Sequence, residues 1–284
     1  MKPELTGLSA LTALCGFYLG SIGSMSVPLF FWTAFGTICL GGGAGALNQY
    51  IERDLDAVMK RTEKRPLPAG RITPESVLFF GLTLAIVGIV ILGVFANLLT
   101  GFLAALTLVS YLFVYTPLKR LTPWSTIIGG IPGALPPMMG WSAAAGEVAL
   151  GAWVLFAILF FWQMPHFFSL AWMYRRDYAR AGFRILSVLD TRGHRTGTQC
   201  LLHTAALLPA SIALSIVGVT GGLYFLSAVI LGAVFLLFSV LFARNSRASL
   251  ISGGSSSNAL SRKVFFASLV YLPALMAMMV IDKL

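Results

Sequence analysis

The 284-residue sequence is too apolar for an ordinary soluble protein, because 57% of its residues are hydrophobic and only 11% are charged. About a quarter of the residues of a typical soluble domain are charged. The composition therefore excludes that class and predicts an all-α integral membrane protein with several spans. The formal net charge of +10 indicates a basic surface that faces anionic lipid of the bilayer or an anionic substrate, and it requires no nucleic acid.

Nine apolar runs, each of about 17 to 25 residues and so long enough to cross a bilayer as a helix, follow one another along the chain. They cover residues 8–25, 29–50, 77–95, 98–116, 125–144, 149–171, 200–219, 222–242 and 264–281. If nine helices alternate sides, 19 of the 20 Lys and Arg residues share the side of the N-terminus, and Lys283 alone lies opposite.

The positive-inside rule then predicts a cytoplasmic N-terminus and an external C-terminus. No Arg precedes Arg53, which argues against a mitochondrial transit peptide. We expect a single polytopic domain over residues 1–284 in a bacterial plasma membrane, with its active face towards the cytoplasm.

The second span ends in a cluster of acidic residues. Glu52, Asp54 and Asp56 lie within five positions, although the whole chain has only ten Asp and Glu residues. At about 100° per residue, Asn48, Glu52 and Asp56 form one stripe on a helix and Asp54 lies roughly opposite Glu52. Ionised groups beside hydrocarbon are costly unless paired, hydrated or metal-bound, so we predict a site on the stripe. Spacing alone leaves open a solvated helix end with pairs such as Asp56 to Lys60.

Oxygen ligands on one helix face suit Mg²⁺, which takes one or two carboxylates and completes its shell with water and substrate phosphates. Arginine and lysine near the stripe would complement those phosphates. The candidate diphosphate ligands are Arg53, Lys60, Arg61, Lys64 and Arg65 after span 2, and Tyr115, Lys119 and Arg120 at the end of span 4. These residues predict a diphosphate bound together with Mg²⁺.

The loop after span 6 repeats the combination of acid and base. Asp177 lies among Arg175, Arg176 and Arg180, so it is either part of a second metal site or one member of a surface ion pair. Two metal sites with basic residues are what ionisation of an allylic diphosphate requires, because the departing anion must be stabilised. The two charged loops are four spans apart, which indicates a duplicated four-helix unit with an extra ninth helix. The segment Ser252–Ser257 is predicted to be a flexible connector.

Spans 5 and 6 carry prolines. Pro132, Pro136 and Pro137 predict a break in span 5, which membranes tolerate where the backbone lines a cavity. His166 follows Pro165 late in span 6. It is either a buried imidazole bonded to a backbone carbonyl that the proline frees or a contact to a planar acceptor such as haem.

Two other features predict packing without chemistry. The run Gly41–Gly45 lies inside a span, where small residues let helices approach closely. The three cysteines are scattered through the spans with no Cys-x-x-Cys pair, so neither a disulfide framework nor a thiolate metal site is expected.

Five segments together resemble the UbiA-type intramembrane prenyltransferases. They are Asn48–Asp56, Arg61–Pro68, Tyr115–Arg120, Ile131–Pro137 and Trp162–His166. The last two, which read Ile-Pro-Gly-Ala-Leu-Pro-Pro and Trp-Gln-Met-Pro-His, resemble the branch of that family that farnesylates haem. The resemblance runs through essentially the whole chain.

The resemblance implies nine helices around a central cavity, and transfer of a farnesyl group from farnesyl diphosphate to a vinyl group of haem b. It further implies a haem A synthase or a terminal-oxidase assembly factor as the protein partner. Carried over by position, Asn48, Glu52 and Asp56 hold one Mg²⁺ and Asp177 holds a second. The diphosphate ligands are Arg53, Tyr115 and Lys119, with Lys60, Arg61, Arg65, Arg120 and Arg175 nearby, and the acceptor contacts are Trp162 and His166.

The chain departs from the family pattern at three places. Glu52 stands where the family motif has Asp, and Ala181 stands four residues after Asp177, where a second Asp is expected. The segment Phe183–Ser187 also differs from the haem branch. Two alternatives stay open: a prenyltransferase for a quinone-ring or chlorophyll-type acceptor, and a transporter of haem or another small molecule.

Overall fold

The computed structural model describes residues 3–252 and 258–284, and every regular element within them is helical. The all-α prediction is therefore confirmed. Five of the six residues of the predicted connector Ser252–Ser257 lie outside the described residues.

The helices are α1 (Pro3–Gly20), α2 (Val27–Ile51), α3 (Arg53–Val58), α4 (Pro74–Ile91), α5 (Leu98–Val109), α6 (Thr116–Leu121), α7 (Ser125–Ala145), α8 (Leu150–Met173), α9 (Arg175–Arg180), α10 (Leu186–Leu189), α11 (His194–Ile216), α12 (Gly222–Ser252) and α13 (Asn258–Ile281). Two π-helical turns extend this list, Leu92–Ala96 after α4 and Ser110–Tyr115 between α5 and α6.

Seven helices in the described residues are long and apolar enough to cross a membrane, so the protein is a multi-pass membrane protein. They are Val27–Ile51, Pro74–Ala96, Leu98–Leu121, Leu150–Met173, His194–Ile216, Gly222–Ala248 and Asn258–Ile281. The other two predicted spans, 8–25 and 125–144, fall largely on α1 and α7, which are helical but are not among these seven. The count of nine spans, like the central cavity, stays a prediction.

The predicted break in span 5 is wrong. Pro132, Pro136 and Pro137 all lie inside α7, which continues from Ser125 to Ala145. Proline removes one backbone donor each time, and membrane helices tolerate this loss where neighbouring groups support the turn. Helix α1 packs closely on this part of α7, because a Cβ atom at Gly16 would collide with the carbonyl oxygen of Pro137.

The chain forms two compact units. The first comprises Met1–Pro117 and Ile131–Trp153, and the second comprises Leu118–Gly130 and Val154–Leu284. The single domain over residues 1–284 and the duplicated four-helix unit both stay predictions.

Glycine allows α2 and α4 of the first unit to pack backbone against backbone. A Cβ atom at Gly43 would lie 2.6 Å from the amide nitrogen of Ala85, and one at Gly88 would lie 2.6 Å from that of Leu40. Only residues without a side chain permit this approach. The packing role predicted for the Gly41–Gly45 run is therefore confirmed at Gly43, and this contact supports the helix that carries the acidic stripe.

Hydrogen bonds between side chains join helices of the second unit. Ser211 Oγ lies 2.7 Å from the Tyr271 hydroxyl, and Thr204 Oγ1 lies 2.9 Å from Ser239 Oγ. Such bonds hold membrane helices together because burying apolar surface contributes little free energy to helix association when the helices already lie in lipid. They link α11 to α12 and to α13.

Candidate functional site

The acidic stripe spans the junction of α2 and α3. The Glu52 amide donates to the carbonyl of Asn48 at 2.9 Å, and the Asp56 amide donates to that of Glu52 at 2.8 Å. Although Glu52 interrupts the helix, the four-residue repeat therefore continues across it. Asn48, Glu52 and Asp56 are 0%, 6% and 1% exposed, whereas the Asp54 side chain is 87% exposed. The predicted geometry is confirmed, and the alternative of a solvated helix end is wrong.

The side-chain carbonyl of Asn48 is left without a partner. Asn48 Nδ2 donates to Thr116 Oγ1 at 3.2 Å, and Thr116 Oγ1 donates to the Tyr111 carbonyl at 2.9 Å. Because the hydroxyl has only one proton, Thr116 must accept from Asn48, which fixes the amide orientation. Asn48 Oδ1 then has no hydrogen-bond partner in the described part of the chain. A buried acceptor of this kind is costly unless a ligand binds it.

Asp56 is paired with an arginine from the segment that follows α3. Arg65 Nη1 lies 2.5 Å from Asp56 Oδ2, and Thr62 Oγ1 donates to the Asp56 carbonyl at 2.8 Å. The alternative drawn from the sequence paired Asp56 with Lys60. In the structure Asp56 pairs with Arg65, and Lys60 is exposed. Burial of a carboxylate requires a partner such as this one. The segment 59–65 thus contacts the stripe at Asp56. It pairs Arg65, a predicted diphosphate ligand, with Asp56, a predicted metal ligand.

The donor set of the stripe fits Mg²⁺. It consists of two carboxylates and one carboxamide oxygen, all hard oxygen ligands. No group of three or more His, Cys, Asp and Glu side chains in the described residues could hold a metal ion. The stripe has only two acids, so water and substrate oxygens would have to complete the shell of an ion bound there. We therefore expect weak metal binding without diphosphate.

The other predicted diphosphate ligands of the first unit surround this region. Lys60, Arg61 and Lys64 are exposed. The Arg53 guanidinium lies 5.0 Å from the centre of the Tyr50 ring, and its Nε is 3.7 Å from Asp54 Oδ1. Tyr115 ends the π-helical turn Ser110–Tyr115, next to the threonine that bonds Asn48.

The sequence reasoning missed Thr116 as a partner of the stripe. The sequence pointed to Thr116 only through its position in Tyr115–Arg120, one of the five segments that carried the family resemblance. A threonine hydroxyl gives no chemical signature of its own in a sequence.

An open groove of about 410 Å³ lies on the exposed side of α3. Its lining residues are Arg53, Asp54, Ala57, Leu67, Pro68, Gly70, Ile72, Thr73 and Pro74. None of the three stripe residues lines it, and its only two charged side chains, Arg53 and Asp54, are paired with each other. The groove is therefore a surface feature, and the buried stripe is the better candidate for a metal site.

The remaining predicted site residues belong to the second unit. They are Lys119, Arg120, Trp162, His166, Arg175 and Asp177. Asp177 forms an ion pair with Arg180, one turn away on α9, which is the alternative that the sequence left open. Its part in a second metal site stays a prediction.

The Arg175 side chain contacts α8 and α13. Its Nη1 donates to the Trp172 carbonyl at 2.8 Å and to Asn258 Oδ1 at 3.0 Å, and its guanidinium lies over the Trp172 ring. Burial, and then the neighbouring Arg176, lower the pKa of Arg175. An arginine nevertheless stays charged at any physiological pH, so Arg175 remains a fixed cation at the start of α9.

The divergent loop after Asp177 has a structural role. Gly182 adopts a φ of 71°, which residues with a side chain rarely adopt, and the Arg184 amide donates to the Lys119 carbonyl at 2.9 Å. Asp190 accepts from the amides of Gly193 and Thr196 at 3.0 and 2.8 Å. This buried acid caps α11 and is explained without a metal.

Trp162 and His166 lie one turn apart on α8, and both bond the same residue of α13. Trp162 Nε1 donates to the Ser268 carbonyl at 2.8 Å, and His166 Nδ1 lies 2.8 Å from Ser268 Oγ. The predicted alternative of an imidazole bonded to a backbone carbonyl is therefore wrong, because the hydroxyl of a second helix takes that place. Ser268 is the other residue that the sequence reasoning missed.

The model of the UbiA prenyltransferase family matches residues 9–252 of the chain. The chain belongs to the UbiA prenyltransferase family. It is therefore a prenyltransferase, and the buried stripe lies in the segment that carried the resemblance.

Relatives within the UbiA family match the chain from end to end. It is 40% identical to the protoheme IX farnesyltransferase of Solibacter usitatus, over 99% of this chain and 96% of the relative. It is 42% identical to that of Salinibacter ruber, with the same coverage of each chain. It is also 40% identical to that of Aquifex aeolicus, over 99% of this chain and 92% of the relative.

Solved structures share the fold of the UbiA family. A structure described as digeranylgeranylglyceryl phosphate synthase superposes with a TM-score of 0.78 at 15% identity, over 99% of this chain and 96% of the other. A UbiA homologue from Aeropyrum pernix K1 gives 0.72 at 22% identity, over 99% and 98%. One from Archaeoglobus fulgidus bound to DMAPP and Mg²⁺ gives 0.64 at 12% identity, over 97% and 96%. Because these sequence identities are low, the structural likeness establishes the shared fold alone.

Proposed function

We propose that the protein transfers the farnesyl group of farnesyl diphosphate to a vinyl group of haem b and so makes haem O. The observation that carries the proposal is the identity of 40 to 42% to protoheme IX farnesyltransferases over 99% of the chain. The buried oxygen stripe on α2 and α3 supports it, because an allylic diphosphate ionises only where its negative charge is stabilised.

The stripe is proposed to hold Mg²⁺ through Asn48 Oδ1 and the carboxylates of Glu52 and Asp56. When bound, the ion would offset the negative charge that grows on the departing diphosphate. The unpartnered carbonyl of Asn48 supports this assignment, as does the UbiA homologue from Archaeoglobus fulgidus, whose structure is bound to DMAPP and Mg²⁺. Burial of the three side chains keeps water away and strengthens their electrostatic effect.

The basic residues of the chain are proposed to bind the diphosphate. Arg65 is already beside Asp56, so an entering diphosphate competes with this carboxylate for the same guanidinium. Arg53, Lys60, Arg61 and Tyr115 of the first unit would add donors. Lys119, Arg120, Arg175 and Asp177 of the second unit belong to the proposal through the family resemblance, with Asp177 as ligand of a second Mg²⁺.

The chemistry follows from the two substrates. The bond between the first farnesyl carbon and the diphosphate oxygen breaks, and its electron pair leaves with the diphosphate. The vinyl π electrons of haem then form the new carbon–carbon bond. Water adds to the resulting cation at the carbon next to the porphyrin ring and loses a proton, which leaves a hydroxyethylfarnesyl group.

We further propose that the protein acts at the cytoplasmic face of a bacterial plasma membrane. The concentration of 19 of 20 basic residues on one predicted side supports that orientation. A haem A synthase or a terminal-oxidase assembly partner is the proposed protein partner, on the family resemblance.

The purified protein in lipid nanodiscs tests the function directly. Incubation with Mg²⁺, farnesyl diphosphate and haem b should give a haem whose mass is increased by one farnesyl group and one hydroxyl, and chelation of the metal should stop the reaction. Parallel reactions contain a hydroxybenzoate or a chlorophyll precursor. Prenylation of either compound with haem b unchanged would show that the acceptor is wrong, and movement of haem across the membrane without any product would indicate a transporter.

A further inference from the structure

The hydrogen bonds around His166 determine which of its nitrogens carries the proton. Ser268 Oγ lies 2.5 Å from the Phe265 carbonyl and 2.8 Å from His166 Nδ1. A carbonyl only accepts, so the single hydroxyl proton of Ser268 goes to Phe265. Ser268 Oγ must then accept from His166, which places the imidazole proton on Nδ1 and leaves the lone pair on Nε2.

The surroundings of His166 favour the neutral imidazole. Its ring stacks on Trp162 with centroids 5.4 Å apart, and the Phe265 ring lies 4.8 Å away. His166 forms no ion pair with a carboxylate within the described ranges, and a charge is costly inside a membrane-spanning helix. Within residues 3–252 and 258–284, Nε2 has no hydrogen-bond partner, since the only bond of the ring is through Nδ1.

We propose that His166 Nε2 is the protein ligand of the haem iron and that Ser268 is its positioning residue. This inference rests on the proposed function. A neutral histidine whose Nδ1 proton is bonded to an oxygen is the arrangement in which histidine binds metals, because that bond fixes the tautomer and the ring orientation. The Nε2 lone pair forms the iron–nitrogen bond, and no proton or electron is transferred.

The bond would anchor the acceptor without blocking its reactive groups. The vinyl groups lie on the rim of the porphyrin, whereas the iron lies at its centre. A single bond to the iron therefore holds the rim at a fixed distance from α8. Reaction at a vinyl carbon needs this positioning, because the lifetime of the allylic cation is short and only a nearby acceptor competes with water.

His203 provides a matched control in the same unit. Its Nδ1 lies 2.9 Å from the carbonyl of Gln199 on its own helix, so it also carries its proton on Nδ1 when neutral. It contacts the aromatic rings of Phe161 and Phe168. Its Nδ1 hydrogen bond stays within α11, whereas the hydrogen bond of the His166 ring reaches a second helix, α13. A histidine that served packing alone would behave like His203.

The test is titration of the full-length protein in nanodiscs with haem b, followed by absorption and electron paramagnetic resonance spectra. Wild type should show an imidazole-ligated iron. His166→Gln should lose this signature and bind haem b about tenfold or more weakly, yet bind iron-free protoporphyrin IX as wild type does. His203→Gln should keep both affinities and the signature. Imidazole added to His166→Gly should restore the spectrum.

Ser268 is tested by the same titration. Ser268→Ala removes the acceptor for Nδ1 but keeps the backbone carbonyl that bonds Trp162, so haem b affinity should fall about tenfold with protoporphyrin affinity unchanged. Equal losses for both porphyrins in His166→Gln, or an unchanged spectrum, would overturn the inference. If wild type shows the ligated spectrum but makes no farnesylated haem, the proposed function is wrong, and His166 is still the ligand of the haem iron. If wild type makes the product and His166→Gln keeps the spectrum, only the ligand is wrong.

Discussion

Replacement of Asn48 by leucine should raise the stability of the protein and strongly lower its activity. Asn48 is fully buried, and its only side-chain hydrogen bond in the described residues is the one from Nδ2 to Thr116. Leucine has nearly the same size and no polar atoms. The substitution therefore removes an acceptor that has no partner, together with one hydrogen bond.

The sign of the change in stability of Asn48→Leu follows from two opposing contributions. An unsatisfied buried polar group costs about 1 to 3 kcal/mol, and a typical hydrogen bond contributes about 0.5 to 1.5 kcal/mol. Thr116 keeps its bond to the Tyr111 carbonyl, so it is not left with an unused proton. Asn48→Leu should therefore stabilise the metal-free protein by about 1 kcal/mol. Loss of one stabilising group for the leaving anion should lower kcat by about 100-fold to 1000-fold.

Asn97 serves as the matched control. Its Oδ1 accepts from the Thr100 amide and from Thr100 Oγ1, each at 2.9 Å, and its Nδ2 donates to the Ser142 carbonyl at 2.7 Å. All of its partners lie in the same unit as Asn48. Asn97→Leu should therefore destabilise the protein by about 2 to 4 kcal/mol, since three bonds are lost at about 1 kcal/mol each.

The measurement is thermal unfolding of each variant in detergent with excess chelator, together with a haem farnesylation assay in saturating Mg²⁺. We expect Asn48→Leu to unfold at a higher temperature than wild type and to lose activity, and Asn97→Leu to unfold at a lower temperature. A clear decrease in stability for Asn48→Leu would refute the reasoning, because the carbonyl would then have a structural partner. Full activity in Asn48→Leu would refute its role as a metal ligand.

Three further predictions concern the stripe and the helix that carries it. Glu52→Gln and Asp56→Asn should abolish farnesyl transfer while haem b binding persists, and Asp54→Asn should be mild because that side chain is 87% exposed; loss of haem binding in the first two would make the stripe structural. Calorimetry should show Mg²⁺ binding about tenfold or more tightly with a diphosphate analogue than alone, and equal affinities would mean that the protein completes the metal shell by itself. Gly43→Ala should destabilise the protein by about 1 to 3 kcal/mol, because its Cβ would lie 2.6 Å from a backbone nitrogen of α4. Gly7→Ala is the control, because its Cβ meets nothing within 4 Å. The unfolding temperatures of the two variants test this difference.

Several features of the fold and the site were predictable because they depend on one helix at a time. Apolar runs long enough to cross a bilayer predicted the helices, and the spacing of Asn48, Glu52 and Asp56 predicted their common buried face. The spacing also placed Asp54 outside it. These predictions hold because helical periodicity orients side chains whatever the helix packs against.

Hydrogen-bond partners came only from the tertiary structure. Thr116 is 68 residues from Asn48 in the chain, and Ser268 is 102 residues from His166. Neither contact has a periodic signal, and both decide which atom of the side chain is free to bind a ligand. The unbroken course of α7 through Pro132, Pro136 and Pro137 was not predictable either, because local propensity disfavours proline inside a helix.

The sequence alone therefore determined the membrane class, the family resemblance and the position of the acidic stripe. Tertiary structure decided that Asp56 pairs with Arg65, that Asn48 keeps an unpartnered carbonyl, and that His166 carries its proton on Nδ1. The physical reason is that burial and orientation follow from the period of a helix, whereas the hydrogen bonds of a buried polar group depend on which distant residues the fold brings within about 3 Å.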